Sequence, residues 1–332
     1  NTMTSDHDYK SGSVIDLSLV SDVLLASRLS GGVFLHAEFR EPWCMASEFR
    51  SEPFSVYLND APILIGFHYL LEGEVRFKFP DQPEFTLMSG EAILVPRNDS
   101  HLSGSDLSFP PTPGPSVVVP PDGPGLFKID HGGDGRKAIF ICGFLGSQAE
   151  DFNPLIRTLP RVMKVSFQNS EIDAWVRASF SMGAEESSSI VPGKSKELAR
   201  LSELLLLQGV KTYAMQRPSE EQSWLNGLRD RYVAKAMACL HNDPQRDWTL
   251  DQLAREVGLS KSAIATRFTK SVGIPPIQYL KTWRMLKAAE LLSVSSYSIG
   301  QVAAEVGYGS YEAFVRAFKK HYGISPSAWR AT

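Results

Sequence analysis

The sequence predicts a two-domain protein: an N-terminal all-β barrel followed by helices, and a C-terminal all-α domain with two helix-turn-helix units. The 332 residues are too many for one typical domain and suit two. Short strand-like runs separated by turn-forming residues dominate residues 15–150. The last third instead contains an internal repeat, in which Ala254 returns as Ala303 and Gly273 as Gly323.

Composition and cysteine content favour a soluble protein from a reducing compartment. Hydrophobic residues make up 43% and charged residues 21% of the chain, which excludes a wholly disordered or fibrous protein. No apolar run approaches the ~18 residues of a membrane span, and the polar residues 1–14, expected to be a flexible tail, carry no signal-peptide pattern. Cys44, Cys142 and Cys239 are too few for a disulfide framework. We therefore expect a cytoplasmic protein without membrane contact.

The predicted barrel, residues 15–150, is assembled from apolar runs between turns. Its strand-like runs are VFLHAEF, APILIGFHYLLEGEVRFKF, EFTLMSGEAILVP and KAIFICGFL. Residues 105–125 interrupt these runs with seven prolines. Proline cannot donate to a strand ladder, so we expect an exposed loop there without regular pairing.

Residues 151–216 change to helical periodicity and form the predicted dimerisation and linker region. In SKELARLSELLLLQGVKTYAMQ, an apolar stripe runs through Leu198, Leu201, Leu205 and Gln208, with Leu204 beside it. The stripe has two interpretations: the helix packs on the β domain, or region 195–215 joins two copies in a homodimer. Residues 217–223 are polar and suit a linker.

Charge is distributed unevenly along the chain. Residues 228–332 hold 15 Lys and Arg against 8 Asp and Glu, a net charge of +7, whereas residues 1–227 hold 19 against 29, a net charge of −10. Either only the C-terminal part meets a polyanion, or the asymmetry is chance.

Each copy of the repeat, within residues 224–332, reads as a short helix, a tight turn and a longer helix. The segments TLDQ at 249–252 and SIGQ at 298–301 are capping boxes that start the short helices. Ser260 and Ser310 are placed to cap the longer helices. Those helices are expected to bury Ile264 with Phe268 and Phe314 with Phe318, four positions apart on one face, and to end before Gly273 and Gly323, with Pro276 and Pro326 blocking extension.

The opposite face of each longer helix is what a DNA major groove would meet. A single such motif is usually an ordinary helical hairpin, but two capped copies at fixed spacing in the basic third favour DNA binding. The candidate DNA-contacting residues are Lys261, Ser262, Ala265, Thr266, Arg267, Thr269 and Lys270 in the first copy, and Tyr311, Glu312, Val315, Arg316, Lys319 and Lys320 in the second.

The segments WTLDQLAREVGLSKSAIATRF, YLKTWRMLKAAELL and IGQVAAEVGYGSYEAFVRAFKKHYGISPSAWR resemble the DNA-binding domain of the AraC/XylS transcriptional regulators. The resemblance covers about residues 228–331 and implies binding to double-stranded promoter DNA. One departure is that Ala263, Ala265 and Thr266 leave the first recognition helix poor in base-reading groups. Either the second copy carries more of the direct readout, or the first reads DNA shape.

The segments FHYLLEGEVRFKF and FTLMSGEAILVPRNDSH resemble the cupin barrel, in particular the cupin-type sensor domain that precedes some AraC-type DNA-binding domains. This resemblance implies an unidentified small-molecule effector. The full cupin metal set is incomplete, because the early H-x-H pair is absent and Gly66 stands where its glutamate is expected, although His101 matches the later histidine. His68 shares the strand face of Gly66, and Cys142 lies on the predicted neighbouring strand.

These residues leave two interpretations of the barrel interior. His68 and His101 contact an organic ligand without metal, which we favour, or His68, His101 and Cys142 hold a divalent metal. The leading function is therefore a ligand-responsive DNA-binding transcriptional regulator with no catalytic residues. The alternative is a metal-dependent cupin enzyme with an accessory nucleic-acid module, against which the incomplete metal set counts. A purely architectural DNA binder would not explain an acidic barrel with inward polar residues.

Overall fold

A computed structural model describes residues 17–26, 29–47, 63–120, 126–147, 154–185, 196–216 and 223–331. The predicted tail, residues 1–14, and nearly all of the predicted linker lie outside these ranges. None of the described helices is long and apolar enough to cross a membrane. The strands are β1 Leu29–Arg40, β2 Cys44–Ser47, β3 Ile63–Glu72, β4 Glu74–Lys78, β5 Phe85–Met88, β6 Glu91–Val95, β7 His101–Gly104, β8 Thr112–Pro113, β9 Phe127–Gly132, β10 Lys137–Ser147 and β11 Met163–Ser166. The helices are α1 Ser18–Ala26, α2 Pro154–Thr158, α3 Glu171–Glu185, α4 Lys196–Gln216, α5 Trp224–Gly227, α6 Arg231–Asn242, α7 Leu250–Val257, α8 Lys261–Val272, α9 Pro276–Val294, α10 Ile299–Glu305, α11 Tyr311–Tyr322 and α12 Pro326–Ala331.

The N-terminal domain is a β sandwich, which confirms the predicted β-rich, cupin-like architecture. The larger sheet has the order β11-β6-β3-β10-β1-β9 and the smaller one β5-β4-β7-β2-β8, and the described strands do not close into one continuous barrel. Gly73 makes the tight turn between β3 and β4 with a φ of 91°, and a Cβ there would lie 2.6 Å from the Lys137 carbonyl oxygen. Only glycine fits this turn without strain.

The larger sheet separates two hydrophobic cores. Because side chains alternate along a strand, Leu70 and Phe140 point into the core between the two sheets, whereas Tyr69 and Ile141 point to the other side. The core on that other side also contains buried residues of the helices, such as Leu205 of α4. The sheet is therefore a shared wall between the sandwich interior and a helical layer.

The Pro-rich segment is more ordered than expected. Thr112–Pro113 pairs in parallel with β2, residues Gly114–Ser116 form a 3-10 turn, and Val119 bridges Lys128 on β9. Proline is tolerated here because β8 is an edge strand, where a missing N–H donor costs no ladder bond. The expectation of an excursion without pairing was wrong.

The region 151–216 also differs from the all-helical prediction. Met163–Ser166 forms β11, which pairs antiparallel with β6 at the edge of the larger sheet. Met163 and Val165 are buried and alternate with half-buried neighbours, as expected for a strand with one inner face. Four residues of alternation are too short to outweigh the helical periodicity on either side.

The apolar stripe of α4 packs on this same chain. Leu205, Leu206 and Val210 are buried in the helical layer, and Gly209 lies so close to the sheet that a Cβ would come within 2.5 Å of Leu94 Cδ1. Leu204 faces outward and is 43% exposed. The side chain of Leu198 lies outside the description. The structure therefore supports the intramolecular interpretation at Leu205, while Leu201 and Gln208 of the stripe are half buried.

The C-terminal domain contains the two predicted helix-turn-helix units, α7–α8 and α10–α11. Helix α9 connects them, and its Trp283 and Leu286 join the core of the first unit whereas Met285 and Leu292 join that of the second. Leu291 is half buried and packs against the core of the second unit. Pro276 and Pro326 are the first residues of α9 and α12, so they start the following helices rather than only blocking the preceding ones.

Candidate nucleic-acid interface and effector cavity

Side-chain hydrogen bonds cap the N-termini of the helices in both units, as the sequence predicts. The Thr249 hydroxyl accepts from the Gln252 backbone N–H at 3.2 Å, while the Gln252 side chain accepts from the Thr249 N–H at 2.9 Å. The same reciprocal bonds join Ser298 and Gln301. Ser260 and Ser310 cap α8 and α11 through N–H groups three residues on, at 3.2 Å in both cases. Both capping boxes and both N-caps are confirmed.

The recognition helices present the expected faces. Ile264, Phe268, Phe314 and Phe318 are all fully buried. Helices α8 and α11 end at Gly273 and Gly323, which adopt the left-handed conformation. The predicted DNA-contacting positions all keep some exposure: Lys261, Ser262, Thr266, Arg267, Lys270, Tyr311, Glu312, Arg316, Lys319 and Lys320 are exposed, and Ala265, Thr269 and Val315 are half buried.

The Lys and Arg side chains on these faces differ in whether they form ion pairs with nearby carboxylates. In the first unit Lys261 pairs with Asp251, and the Arg267 guanidinium lies 2.8 Å from Asp230 Oδ2 and over the ring of Tyr232. Arg316 of the second unit makes no ion pair within the described part of the chain. The second unit therefore presents an exposed arginine that no described carboxylate holds.

The Asp230 pair was missed by sequence reasoning. Asp230 Oδ1 caps α6 by accepting from the Tyr232 and Val233 N–H groups, and Oδ2 accepts from Arg267. An aspartate before RYVAK is a readable capping signal. Its second partner, 37 positions away, is set by how α6 and α8 pack.

A cavity lies between the two sheets of the N-terminal domain. It comprises about 650 Å³ of space between protein atoms, part of which is open solvent rather than enclosed volume. The 3-10 turn of the Pro-rich segment contributes to its rim. The lining residues are Leu35, Ala37, Phe39, Met45, Ser47, His68, Phe77, Ser103, Gly114, Pro115, Val118, Ile129, Phe140, Cys142 and Phe144.

His68 and Cys142 meet in the cavity wall. The register of β3 and β10 places them opposite each other, and His68 Nδ1 lies 2.9 Å from Cys142 Sγ. Burial, together with the nearby His101, lowers the pKa of His68 to about 3, and burial raises the pKa of the Cys142 thiol. Near neutral pH the pair is an uncharged imidazole and an uncharged thiol.

His101 packs beside this pair. Its ring centroid lies 5.2 Å from that of His68, and its other side stacks on Phe79 at 4.6 Å. Nδ1 lies 3.0 Å from the Asp99 carbonyl oxygen, to which it donates, while Nε2 is buried with no hydrogen-bond partner among the described residues. Burial lowers the pKa of His101 to about 4 against the smaller opposing effect of the Asp99 hydrogen bond.

The structure brings the three predicted residues together but not as predicted ligands of one centre. His68 lines the cavity, whereas His101 is packed against Phe79 rather than lining it. Within the described ranges, no group of three or more His, Cys, Asp or Glu is placed to hold a metal ion. His68 Nδ1 is turned to the Cys142 sulfur, and the His101 ring packs on Phe79.

Comparison with known proteins finds likeness in both halves of the chain. A family described as Cupin matches residues 18–215, and one described as Helix-turn-helix domain matches residues 253–332. The transcriptional regulator AlkR from Acinetobacter baylyi is 29% identical over 79% of this chain and 86% of its own length. A putative AraC-like transcription regulator from Streptomyces lividans is 30% identical over 82% of this chain and 88% of its own. The solved C-terminal domain of the response regulator AraT from Geobacillus stearothermophilus is 33% identical, covers 30% of this chain and 84% of that domain, and has a TM-score of 0.29.

Proposed function

The chain belongs to the AraC-like family of DNA-binding transcriptional regulators that carry an N-terminal cupin domain, and we propose that a small molecule held in the cavity between its sheets controls how it binds promoter DNA. A ligand regulates only if it binds two states of the protein with different affinity. The fold must therefore connect the cavity to the DNA-binding units, and the larger sheet supplies that connection.

The observation that carries the proposal is the continuity of the core behind the cavity wall. Strand β1 lines the cavity with Leu35 and Ala37, while its Phe34 points to the helical layer. The core of that layer runs without interruption through α1 and α4 into Trp224 and Phe268 of the DNA-binding domain. Close-packed interiors transmit small displacements. A change in strand position on ligand binding therefore reaches the first DNA-binding unit.

A buried polar network reinforces this junction. The Tyr279 hydroxyl accepts from Trp224 Nε1 at 3.0 Å and donates to His241 Nε2 at 2.7 Å. His241 Nδ1 in turn lies 3.5 Å from Asp22 Oδ2 on α1, the helix that leads into β1. Buried networks of this kind favour one arrangement of the elements they join. The first unit is thereby held to the N-terminal domain.

The second unit has a separate core and joins the first through α9. A shift of the first unit therefore changes where the second lies along the DNA. Two such units read major grooves when their spacing matches the helical repeat. We assign most of the direct base reading to α11, because Arg316 there makes no ion pair among the described residues whereas Arg267 is held by Asp230.

We also propose a homodimer through region 195–215. Its contact uses fewer apolar residues than the stripe that the sequence predicts. Among the described side chains of α4, the apolar ones that remain exposed are Leu204, at 43%, and Met215, at 59%. They lie eleven positions apart, about three helical turns, and so share one face. This face does not use the stripe buried on the sheet.

The test of ligand control is the double variant His68→Ala/His101→Ala. Promoter reporter output is measured across growth conditions that change the wild-type response, with folding checked by circular dichroism and dimerisation by light scattering. We expect a folded protein that binds promoter DNA but no longer responds. A folded variant that responds normally would place the effector site outside this cavity.

A further inference from the structure

We propose that the cavity between the two sheets selects an uncharged, mostly apolar molecule with a polar group that meets the His68 imidazole. This inference rests on the proposed function, since it names the chemical class of the effector. It does not depend on which DNA sequence the protein reads.

The walls define the apolar body of the ligand. Beside His68, the rings of Phe77, Phe140 and Phe144 have centroids 6.2 to 6.4 Å from the imidazole. Further wall is supplied by aliphatic side chains of β1 and the Pro-rich segment. Among the described residues, no Lys, Arg, Asp or Glu lines the cavity. An ion buried against such walls would lose its hydration without gaining a counter-charge.

The two titratable groups in the wall do not supply a charge either. Burial lowers the pKa of His68 to about 3, so near neutral pH it offers no cation to a carboxylate or phosphate. Burial raises the pKa of Cys142, so its thiol offers no anion to an amine. The cavity therefore discriminates against ligand charge of either sign.

The hydrogen-bond pattern sets which partner donates in the contact between His68 and the ligand. In the proposed arrangement the protonated Cys142 thiol donates to His68 Nδ1, 2.9 Å away, so that the thiol proton has an acceptor inside the apolar wall. The proton of the neutral imidazole then resides on Nε2, which makes His68 a donor toward the ligand. Hydroxyl, ether and carbonyl oxygens are the uncharged groups that accept such a bond.

The test uses two fluorescent probes that share one aromatic skeleton and differ by a sulfonate. N-phenyl-1-naphthylamine is neutral, and 8-anilinonaphthalene-1-sulfonate is its anionic counterpart. Each is titrated into the full-length protein at pH 7.5. We expect saturable 1:1 binding of the neutral probe, with a Kd at least about tenfold lower than that of the anion.

Variants assign the binding to the cavity. Ala37→Trp adds an indole to the cavity wall and should weaken the neutral probe at least about tenfold. Val119→Trp adds the same group at a residue that is 58% exposed and should leave binding unchanged. Ala37→Leu is the milder filling variant, used with the same expectation if the tryptophan prevents folding.

A third comparison isolates His68. In competition against the neutral probe, 1-naphthol should displace it more effectively than naphthalene does in the wild type. His68→Phe keeps a ring in place but removes the N–H donor, so the two competitors should become equal. A preference for 1-naphthol that survives in His68→Phe would overturn the assigned contact.

The remaining outcomes separate this inference from the proposed function. If the sulfonate binds as tightly as the neutral probe and both are lost in Ala37→Trp, the uncharged class is wrong while the cavity remains the effector site. If neither filling variant changes the affinity of either probe, the cavity does not bind these molecules, and both the inference and its location are wrong. Reporter output, measured separately, decides whether the protein is ligand-controlled at all.

Discussion

Replacing Phe318 with alanine should unfold the second helix-turn-helix unit while the first stays folded. Phe318 is 0% exposed, and its ring lies between those of Phe314 at 5.6 Å, Tyr322 at 4.7 Å and Trp329 at 5.8 Å. Truncation removes the ring shared by these contacts and leaves a cavity that rigid aromatic neighbours cannot fill. A fully buried phenylalanine of this kind costs about 3–5 kcal/mol on replacement by alanine.

That loss is large relative to the free energy of unfolding of the second helix-turn-helix unit. The core around Phe318 is a separate cluster confined to α9–α12, whereas the first unit shares its core with the N-terminal domain. Small domains have unfolding free energies of only about 5–15 kcal/mol, and a half-domain has less. Hydrogen exchange should therefore show lost protection across residues 299–331 and retained protection across residues 231–272. Affinity for promoter DNA should fall to that of a single unit.

Tyr311 provides the matched control. It lies on the same helix, is also aromatic and is 49% exposed, so Tyr311→Ala should change the unfolding free energy by no more than about 0.5 kcal/mol. If Phe318→Ala keeps the exchange protection and melting temperature of the wild type, the buried face of α11 is misassigned. The choice of Arg316 as a base-reading residue would then be wrong as well, since it rests on the opposite face.

Three further predictions concern the DNA interface, the junction and the cavity. Arg316→Ala should cost about 1–3 kcal/mol on the specific duplex and relax one base position; an equal loss on random DNA, measured by fluorescence anisotropy, would identify a phosphate contact. Tyr279→Phe removes the hydroxyl bonded to Trp224 and His241, so urea unfolding should show about 1–3 kcal/mol of destabilisation, and no change would show that the network does not hold the junction. Burial lowers the pKa of His101 from 6.5 to about 4, so the unfolded chain binds its proton more readily and stability should fall as pH drops from about 6.5 toward about 4. Over this range the group lowers the free energy of unfolding by about 1.4 kcal/mol for each pH unit. When unfolding is measured at each pH, His101→Phe should show a slope that is smaller by this amount.

The sequence was most informative where neighbours along the chain decide the structure. The capping of α7 by Thr249 and Gln252 depends on atoms three residues apart, and so does the capping of α11 by Ser310. The burial of Phe314 with Phe318 follows from helical periodicity alone. Both units could therefore be placed, with their inner and outer faces, before any tertiary contact was known.

The cavity was only partly predictable. Strand parity placed His68 toward the interior, but parity does not set register, and register is what puts Cys142 directly across from it. His101 follows the interior pattern too, yet the packing of its ring on Phe79 keeps it out of the cavity lining. Direction along a strand is local, whereas the distance between two inward side chains depends on how whole strands pair.

By itself, the sequence determined the two-domain order, the repeated units and the outward-facing residues of their longer helices, because caps, turns and periodicity act within a few residues. Tertiary structure alone decided that the stripe of α4 is buried on the sheet at Gly209, that β11 completes that sheet, and that Asp230 holds Arg267. An apolar stripe predicts only that one face of the helix is buried. Which surface covers it is settled by the shape and close packing of elements far apart in the chain.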